Sequence, residues 1–366
     1  MNELTIKSPL KNFRVLFVDD LSFIKELIAL PNSIIIVGSV LYKLYKSKIF
    51  RQFPKERVII IPLDEKRKTL ATVQKLYKKL IPLSAKKNLV IISFGGGINQ
   101  DVVGFIASTL YRGVNWIFIP TTLLAMTDSA IGLKTSLNFS EYKNVLGTFY
   151  PPSTIYINVN FLDTLSPKDF YSGVGEIIKF YLMKKNPLQS LSQTITTINK
   201  LVSNKNKYQI INIVKESIQI KLSYMEGDEF DQGRRNLLNY GHELGHALES
   251  SSSFVIPHGI AVIIGMIFAN LIAVKRRLLK KNVFHQINNH LLIPHIPKKI
   301  IPLKREYFLP ERLITYWKKD KKRTSENSLP LVLPTENFSL VKISDLSFQE
   351  AQAGIQELAY TLKLSI

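Results

Sequence analysis

The chain contains no cysteine in its 366 residues. That absence excludes a disulfide framework and every thiolate site, so a metal ion here could be held only by nitrogen and oxygen donors. Acidic residues are few beside basic ones, 28 against 49, which leaves a formal charge of +21. Residues 1–7 carry no apolar signal core behind a basic start, so no secretory leader is expected. The longest apolar run, 259–274, is interrupted by Asn270 and is short for a bilayer span, so no membrane partner is expected. Internal repeats and low-complexity tracts are also missing. The expectation is a cytoplasmic globular protein.

Apolar residues make up 46% of the chain, enough for a sizeable core, and the length fits two domains. The lysines are spread through nearly every segment, and aromatic residues do not interleave with them in a stacking pattern. A nucleic-acid partner is therefore not expected, whereas a small substrate bearing phosphate and carboxylate would suit a basic site.

The first half alternates apolar strand-like runs (14–18, 34–37, 58–61, 89–93, 116–119 and 154–158) with helix-like stretches such as 69–80. Several runs are apolar throughout, as strands are when both sheet faces are covered, and the alternation predicts a doubly wound, largely parallel sheet. The pattern changes at Ser166-Pro167-Lys168-Asp169: a hydroxyl cap, proline at the first helical position and an acid in the first turn. Helical periodicity then dominates to about Leu279. Pro294, Pro297 and Pro302 punctuate a loop region, 331–334 reads as extended, and a last helix is expected over 347–362. The predicted organisation is an α/β N-terminal domain, 1–165, and a mainly α-helical C-terminal domain, 166–366, with a cleft between them.

Three motifs carry the chemistry. The run 89–93 leads into Gly95-Gly96-Gly97, with a helix expected to begin near Asp101. Glycines let a backbone approach a pyrophosphate, and a following helix end offers free N–H groups; alone, a triple glycine is as often a structural turn. Glu176 and Lys179 are three apart on one predicted helix and share a face. His242 and His246 share a face at i, i+4, and His258 follows a proline-marked turn, so three of six histidines fall in seventeen residues. A lone helical histidine is usually packing or surface, but this supply of imidazole and carboxylate fits a catalytic zinc-type ion with three protein ligands and one open position. Spacing nominates His242 with His246 and does not separate that pair from one using His258.

The ordered set Gly95-Gly96-Gly97…Asp101, Tyr111-Arg112-Gly113, Pro120-Thr121-Thr122-Leu123-Leu124-Ala125, Asp128-Ser129, Gly132-Leu133-Lys134-Thr135, Lys143-Asn144, Gly173-Val174-Gly175-Glu176-Ile177-Ile178-Lys179, Arg235-Asn236-Leu237-Leu238-Asn239-Tyr240-Gly241-His242 and Asp320-Lys321-Lys322 resembles the 3-dehydroquinate synthases and the wider sugar-phosphate cyclases, over nearly the whole chain. The resemblance implies NAD, a divalent metal (zinc or cobalt), a sugar-phosphate substrate, a homodimer and a place in the shikimate route to aromatic amino acids. It implies Glu176, His242 and His258 as metal ligands, which moves His246 to the substrate site. It implies NAD contacts from Gly95, Gly96, Gly97 and Asp101, with Thr121 and Thr122 nearby, and from Glu65, Lys68, Lys134, Lys143 and Asn144. Asp128, Lys134, Asn144, Lys179, Lys221, Arg235, Asn239, His246 and Lys321 would line the substrate pocket, and Arg112 would reach the phosphate bound to a neighbouring subunit. The implied reaction is a transient oxidation by NAD, elimination of phosphate, return of the hydride, ring opening and an intramolecular aldol closure, with the leaving phosphate itself able to take a proton.

The chain departs from the family pattern twice. Ile260 stands where an acid is common, and Ile36-Val37-Gly38-Ser39-Val40 lacks an aspartate that meets the adenosine ribose. Ile260 keeps open a cyclase acting on another substrate, such as sedoheptulose 7-phosphate. A non-catalytic basic binding protein is the reading of another class; the intact Glu176, Lys179, His242 and His258 speak against it.

Overall fold

A computed structural model describes residues 3–83, 86–140, 142–319 and 327–364. The chain divides into two compact units, Met1–Leu165 and Ser166–Ile366.

Along the first unit run β1 (Glu3–Ile6), β2 (Phe13–Phe17), α1 (Phe23–Ala29), β3 (Ser33–Gly38), α2 (Ser39–Tyr45), β4 (Val58–Ile61), α3 (Leu70–Leu80), β5 (Val90–Gly95), α4 (Gly97–Thr109), β6 (Asn115–Pro120), α5 (Leu123–Thr127), β7 (Lys134–Phe139), β8 (Tyr142–Phe149) and β9 (Thr154–Ile157). Seven strands form one sheet in the order β1-β2-β9-β6-β5-β3-β4, parallel except for the β1–β2 pair. Burial follows position. The inner strands β3, β5 and β6 are buried almost throughout, whereas β2 and β4, near the two edges, alternate buried and more open residues. Continuous apolar runs are what a strand needs when both faces are covered; alternation suffices where one face meets water.

All six expected strands are present, each within two residues of the expected ends. Three features differ. β1 escapes notice because Glu3-Leu4-Thr5-Ile6 holds no apolar run. The antiparallel pair β7–β8 is half-buried and polar, and so carries no core signature. Helix α4 begins at Gly97, a turn before Asp101, because Gly96 is its N-cap and its first turn lacks the apolar spacing that marks a helix.

The second unit is mainly helical: α6 (Pro167–Leu182), α7 (Leu191–Asn204), α8 (Lys207–Met225), α9 (His242–Ser251), α10 (His258–Lys275), α11 (Lys281–Ile287), α12 (Pro310–Lys318) and α13 (Phe348–Thr361), with one antiparallel pair, β10 (Ser328–Pro334) and β11 (Leu340–Ser347). Ser166 caps α6 as its sequence predicts, its Oγ accepting from the Asp169 N–H at 3.1 Å. The expected extended segment 331–334 is one half of a hairpin. Of the three prolines expected to punctuate a loop, Pro297 and Pro302 lie in irregular backbone as expected, whereas Pro294 falls in a 3-10 turn, Ile293–His295, that follows a π-turn, Asn288–Leu292. Proline at the first turn of such a segment loses no hydrogen bond, so its presence did not require a loop.

Helix α10 is the centre of this unit. Among the described residues it is the one helix long and apolar enough to cross a membrane, yet the fold buries nearly all of it. Phe268 meets Trp317 of α12 edge-on at 5.7 Å, and the Gly354 backbone of α13 lies close against Ile272 and Phe268. The start of α13 is fixed twice. Ser347 and Glu350 form a reciprocal cap, and Arg276, just past α10, grips both Glu350 oxygens at 2.8 Å. A cap of this kind contributes about 1 kcal/mol.

Candidate metal centre and nucleotide site

Three helices of the second unit converge on one carboxylate. Helix α6 supplies Glu176 and Lys179, both fully buried, with Nζ 2.5 Å from Oε2. His242 is the first residue of α9 and His258 the first of α10. The helices can meet this closely because their contact is backbone on backbone. A Cβ on Gly259 would collide with the Ser172 carbonyl, and one on Gly175 with the Gly259 carbonyl. The Gly259 N–H donates to Ser172 Oγ at 3.0 Å, which ties the start of α10 to α6. Gly241, at φ +80°, makes the left-handed turn that starts α9 at His242.

His242 Nε2 lies 3.5 Å and His258 Nε2 3.3 Å from Glu176 Oε1. The outer ring nitrogens fix the tautomers. His242 Nδ1 lies 3.3 Å from the Tyr240 carbonyl, which can only accept, so that nitrogen carries the hydrogen. His258 Nδ1 lies 3.1 Å from Glu249 Oε2, with the same consequence when that carboxylate is ionised. Each neutral ring then turns an Nε2 lone pair toward a carboxylate oxygen. Three electron-rich atoms at that spacing need a positive charge among them. Donors held at roughly 2.0–2.1 Å around a tetrahedral zinc-type ion sit roughly 3.4 Å apart, so the spacing fits an ion.

The electrostatics agree. Burial, then Lys179 and the two other imidazoles, hold His242 well below the ordinary histidine range, so it is a neutral donor. Burial also lowers His258, but Glu249 and Glu176 prevail and push it up to about 9. Without an ion, a proton on His258 supplies the missing charge.

His246 joins the same cluster: one ligand atom from each of His242, His246 and His258 lies within 4.8 Å of the others. Its ring stacks on His258 at 5.6 Å and meets His242 edge-on at 5.4 Å. Two donor sets are thus geometrically available, the three imidazoles or Glu176 with His242 and His258.

Other expected residues of this unit surround the cluster in sequence and differ in setting. Lys221 of α8 and Arg235 are buried. The Arg235 guanidinium donates to the Glu229 carbonyl, and the Arg235 backbone N–H donates to Asp228 Oδ2 at 2.8 Å. Asp228 also takes the N–H groups of Gln232 and Gly233, at 2.8 Å each, so one carboxylate shapes the loop before Arg235. Asn239 donates to the Asn236 carbonyl at 2.6 Å. Lys321, with Asp320 and Lys322, lies outside the described residues.

In the first unit the glycine turn ends β5 and opens α4. Gly95 accepts from the Thr121 N–H at 3.0 Å, and a Cβ on Gly96 would press on Thr122 Cγ2 at 3.0 Å. Thr122 caps α5 through the Ala125 N–H, at 3.2 Å. The thirteen-residue α4 therefore starts at a close-packed turn with its first N–H groups unspent within the helix. Beside it is a polar cluster. Lys68 Nζ is 2.5 Å from Asp101 Oδ2 and donates to Asn144 Oδ1 at 2.6 Å. Ser136 also donates to Asn144 Oδ1, at 3.0 Å, and Asn138 joins Glu65 Oε1 at 3.0 Å to the Asn144 N–H at 2.9 Å. Burial raises Asp101 above the ordinary aspartate range despite Lys68.

Glu65, Lys68, Asp101 and Asn144 are thus brought together, with the three glycines at the head of the adjoining helix. Asp128 directly follows α5, Lys134 opens β7 with its ammonium 5.9 Å from the Phe149 ring centre, and Lys143 lies on β8. Arg112 is exposed, in a left-handed turn with Tyr111 at φ 51° and Arg112 at φ 63°. Ile260 is wholly buried in α10, and Ser39 opens α2 at the end of β3.

Sequence reasoning missed Ser136, Asn138, Asp228 and Glu249. The first two left no signal, being lone polar residues in a polar hairpin. Glu249 was readable: in His242-Glu243-Leu244-Gly245-His246-Ala247-Leu248-Glu249 it falls at i+7 from His242 and i+3 from His246.

Known proteins resemble the chain in sequence and in fold. Residues 58–172 match the family model for the 3-dehydroquinate synthase N-terminal part, and residues 173–323 that for its C-terminal part. A 3-dehydroquinate synthase from Dictyoglomus thermophilum is 35% identical over 332 residues, covering 90% of this chain and 86% of that protein. One from Clostridium tetani is 37% identical over 255 residues, covering 69% of this chain and 68% of that protein. Among solved structures, the 2-epi-5-epi-valiolone synthase of Streptomyces hygroscopicus subsp. jinggangensis, with NAD+ and Zn2+ bound, superposes with a TM-score of 0.82 at 23% identity, covering 97% of this chain and 99% of that one.

Proposed function

The chain belongs to the 3-dehydroquinate synthase family, and from that membership we propose that it is a carbon–oxygen lyase that cyclises 3-deoxy-arabino-heptulosonate 7-phosphate to 3-dehydroquinate with release of phosphate, using NAD and a divalent metal. The observation that carries the proposal is the pair of imidazole nitrogens 3.5 and 3.3 Å from one buried carboxylate oxygen. Family membership favours Glu176, His242 and His258 as the ligand set, with His246 facing substrate. Two neutral imidazoles and one carboxylate leave a divalent ion with net positive charge, which zinc or cobalt would use as a Lewis acid at the reacting hydroxyl.

The chain's own residues bind, orient and balance charge. Lys179 neutralises the second oxygen of Glu176, leaving Oε1 to the ion. Lys221 and Arg235 are cations held out of water, suited to the phosphate and carboxylate of the substrate; Arg235 can grip an oxyanion at two points. Lys134, Asn144, Asn239, Asp128 and Lys321 complete the substrate group in this reading. The glycine turn and the start of α4 are suited to the pyrophosphate of NAD, which supplies a hydride acceptor regenerated within each cycle. Glu65, Lys68, Asp101, Thr121, Thr122, Lys143 and Asn144 belong to that nucleotide site. We also read the protein as cytoplasmic and as a homodimer, in which exposed Arg112 reaches the phosphate bound to the neighbouring copy.

The test is phosphate release from 3-deoxy-arabino-heptulosonate 7-phosphate with NAD and zinc or cobalt. Release that needs both cofactors is the expected result. No release from that sugar, with release from sedoheptulose 7-phosphate, would assign a different substrate to the same chemistry.

A further inference from the structure

Glu249 is a buried carboxylate that the reaction does not use. On α9 it shares a face with His242 and His246, two turns from the first and one from the second. Keeping a carboxylate out of water is costly unless it is hydrogen-bonded to a partner that repays it. Here Oε2 lies 3.1 Å from His258 Nδ1.

The two imidazoles that face Glu176 are anchored unequally. His242 has a neutral carbonyl behind it and an almost enclosed side chain, 12% exposed. His258 has a carboxylate behind it, and its side chain is 25% exposed. Like His242 at the start of α9, it has no preceding helical turn to restrict its ring, and the Gly259–Ser172 bond fixes only the backbone, so the difference between the two rings lies in exposure. The ring facing Glu176 with the greater freedom therefore has the stronger anchor. A carboxylate on Nδ1–H fixes the tautomer, points Nε2 inward and makes that nitrogen a better donor than a carbonyl would.

We propose that Glu249 is a positioning residue that sets the orientation and donor strength of His258 toward the metal. The proposal rests on the metal reading above. Glu249 acts through His258 and touches neither substrate nor ion.

The test uses the full chain, stripped with a chelator, dialysed, and titrated with cobalt against a chromogenic competitor. Glu249→Ala should weaken cobalt binding by about 10–100-fold, and Glu249→Gln, which keeps an acceptor oxygen but loses the charge, by less. Both should shift the visible cobalt absorption, a change that a merely structural role would not produce in a protein of unaltered circular dichroism. If Glu249→Ala fails to fold, Glu249→Gln decides alone: weaker binding with a shifted band supports the proposal, and wild-type binding with an unshifted band overturns it. His258→Ala is the control. Loss of tight binding there, with unchanged binding in the folded Glu249 variants, would overturn this proposal only; unchanged binding in His258→Ala would overturn the metal reading as well.

Discussion

Lys179 Nζ sits 2.5 Å from Glu176 Oε2, one helical turn along α6, and both groups are sealed from solvent. The pair divides the carboxylate: one oxygen is matched by an ammonium inside the helix, and the other faces two imidazoles. Lys179→Met leaves Glu176 without that match. Breaking one side of a buried pair costs about 3–5 kcal/mol, so the metal-free variant should unfold at markedly lower urea, and added zinc should restore part of the difference. A variant as stable as wild type would mean that the pair contributes nothing to the fold.

In the metal-free protein the His258 imidazole titrates near 9, above its unfolded value of 6.5. Stability from that protonated ring is fully present below pH 6.5 and disappears as the pH rises through 9. The loss is on the order of 3 kcal/mol. Urea melts of the stripped protein at pH 6, 7.5 and 9 should fall in that order. A zinc ion held by the ring would keep it neutral over this range, and the trend should flatten. A stripped protein with pH-independent stability over that range would rule out a charged His258.

Gly259 and Gly175 allow α6 and α10 to touch through their backbones. Gly259→Ala drives a methyl into the Ser172 carbonyl and forces the helices apart. Overpacking of this kind costs about 1–3 kcal/mol and separates Glu176 from His258. Thermal melts should show the destabilisation. Cobalt titration should show weaker binding than the melting change alone explains, and wild-type affinity would contradict the claim that this contact sets the donor spacing.

In the proposed nucleotide site, Lys68 joins Asp101 to Asn144. Lys68→Met removes both links and leaves the half-buried Asp101 to take up a proton. NAD binding, followed by quenching of protein fluorescence, should weaken by roughly tenfold, the loss of about one charged hydrogen bond. Cobalt affinity should not change, since Lys68 is not among the proposed metal ligands. Undiminished NAD affinity would remove Lys68 from the nucleotide site.

Most of the sheet was legible because its inner strands are apolar throughout, and the start of α6 was legible because Ser166 and Pro167 mark it. The β7–β8 pair was not, since its residues serve a polar cluster and carry no core periodicity. The metal cluster was half legible. Helical spacing brings His242 and His246 together, but it says nothing about Glu176, which reaches His258 through a glycine contact between helices remote in sequence. Only the resemblance to a known family nominated Glu176 with His258. Spacing within one helix also places Glu249 on the face that His242 and His246 share.

His242 and His258 each occupy the opening position of a helix, and Glu176 lies mid-way along a third. An ion gripped by these three side chains would act as a rivet through α6, α9 and α10. Withdrawing it would free two helix ends at once, so fraying would start at the heart of the unit and not at its rim.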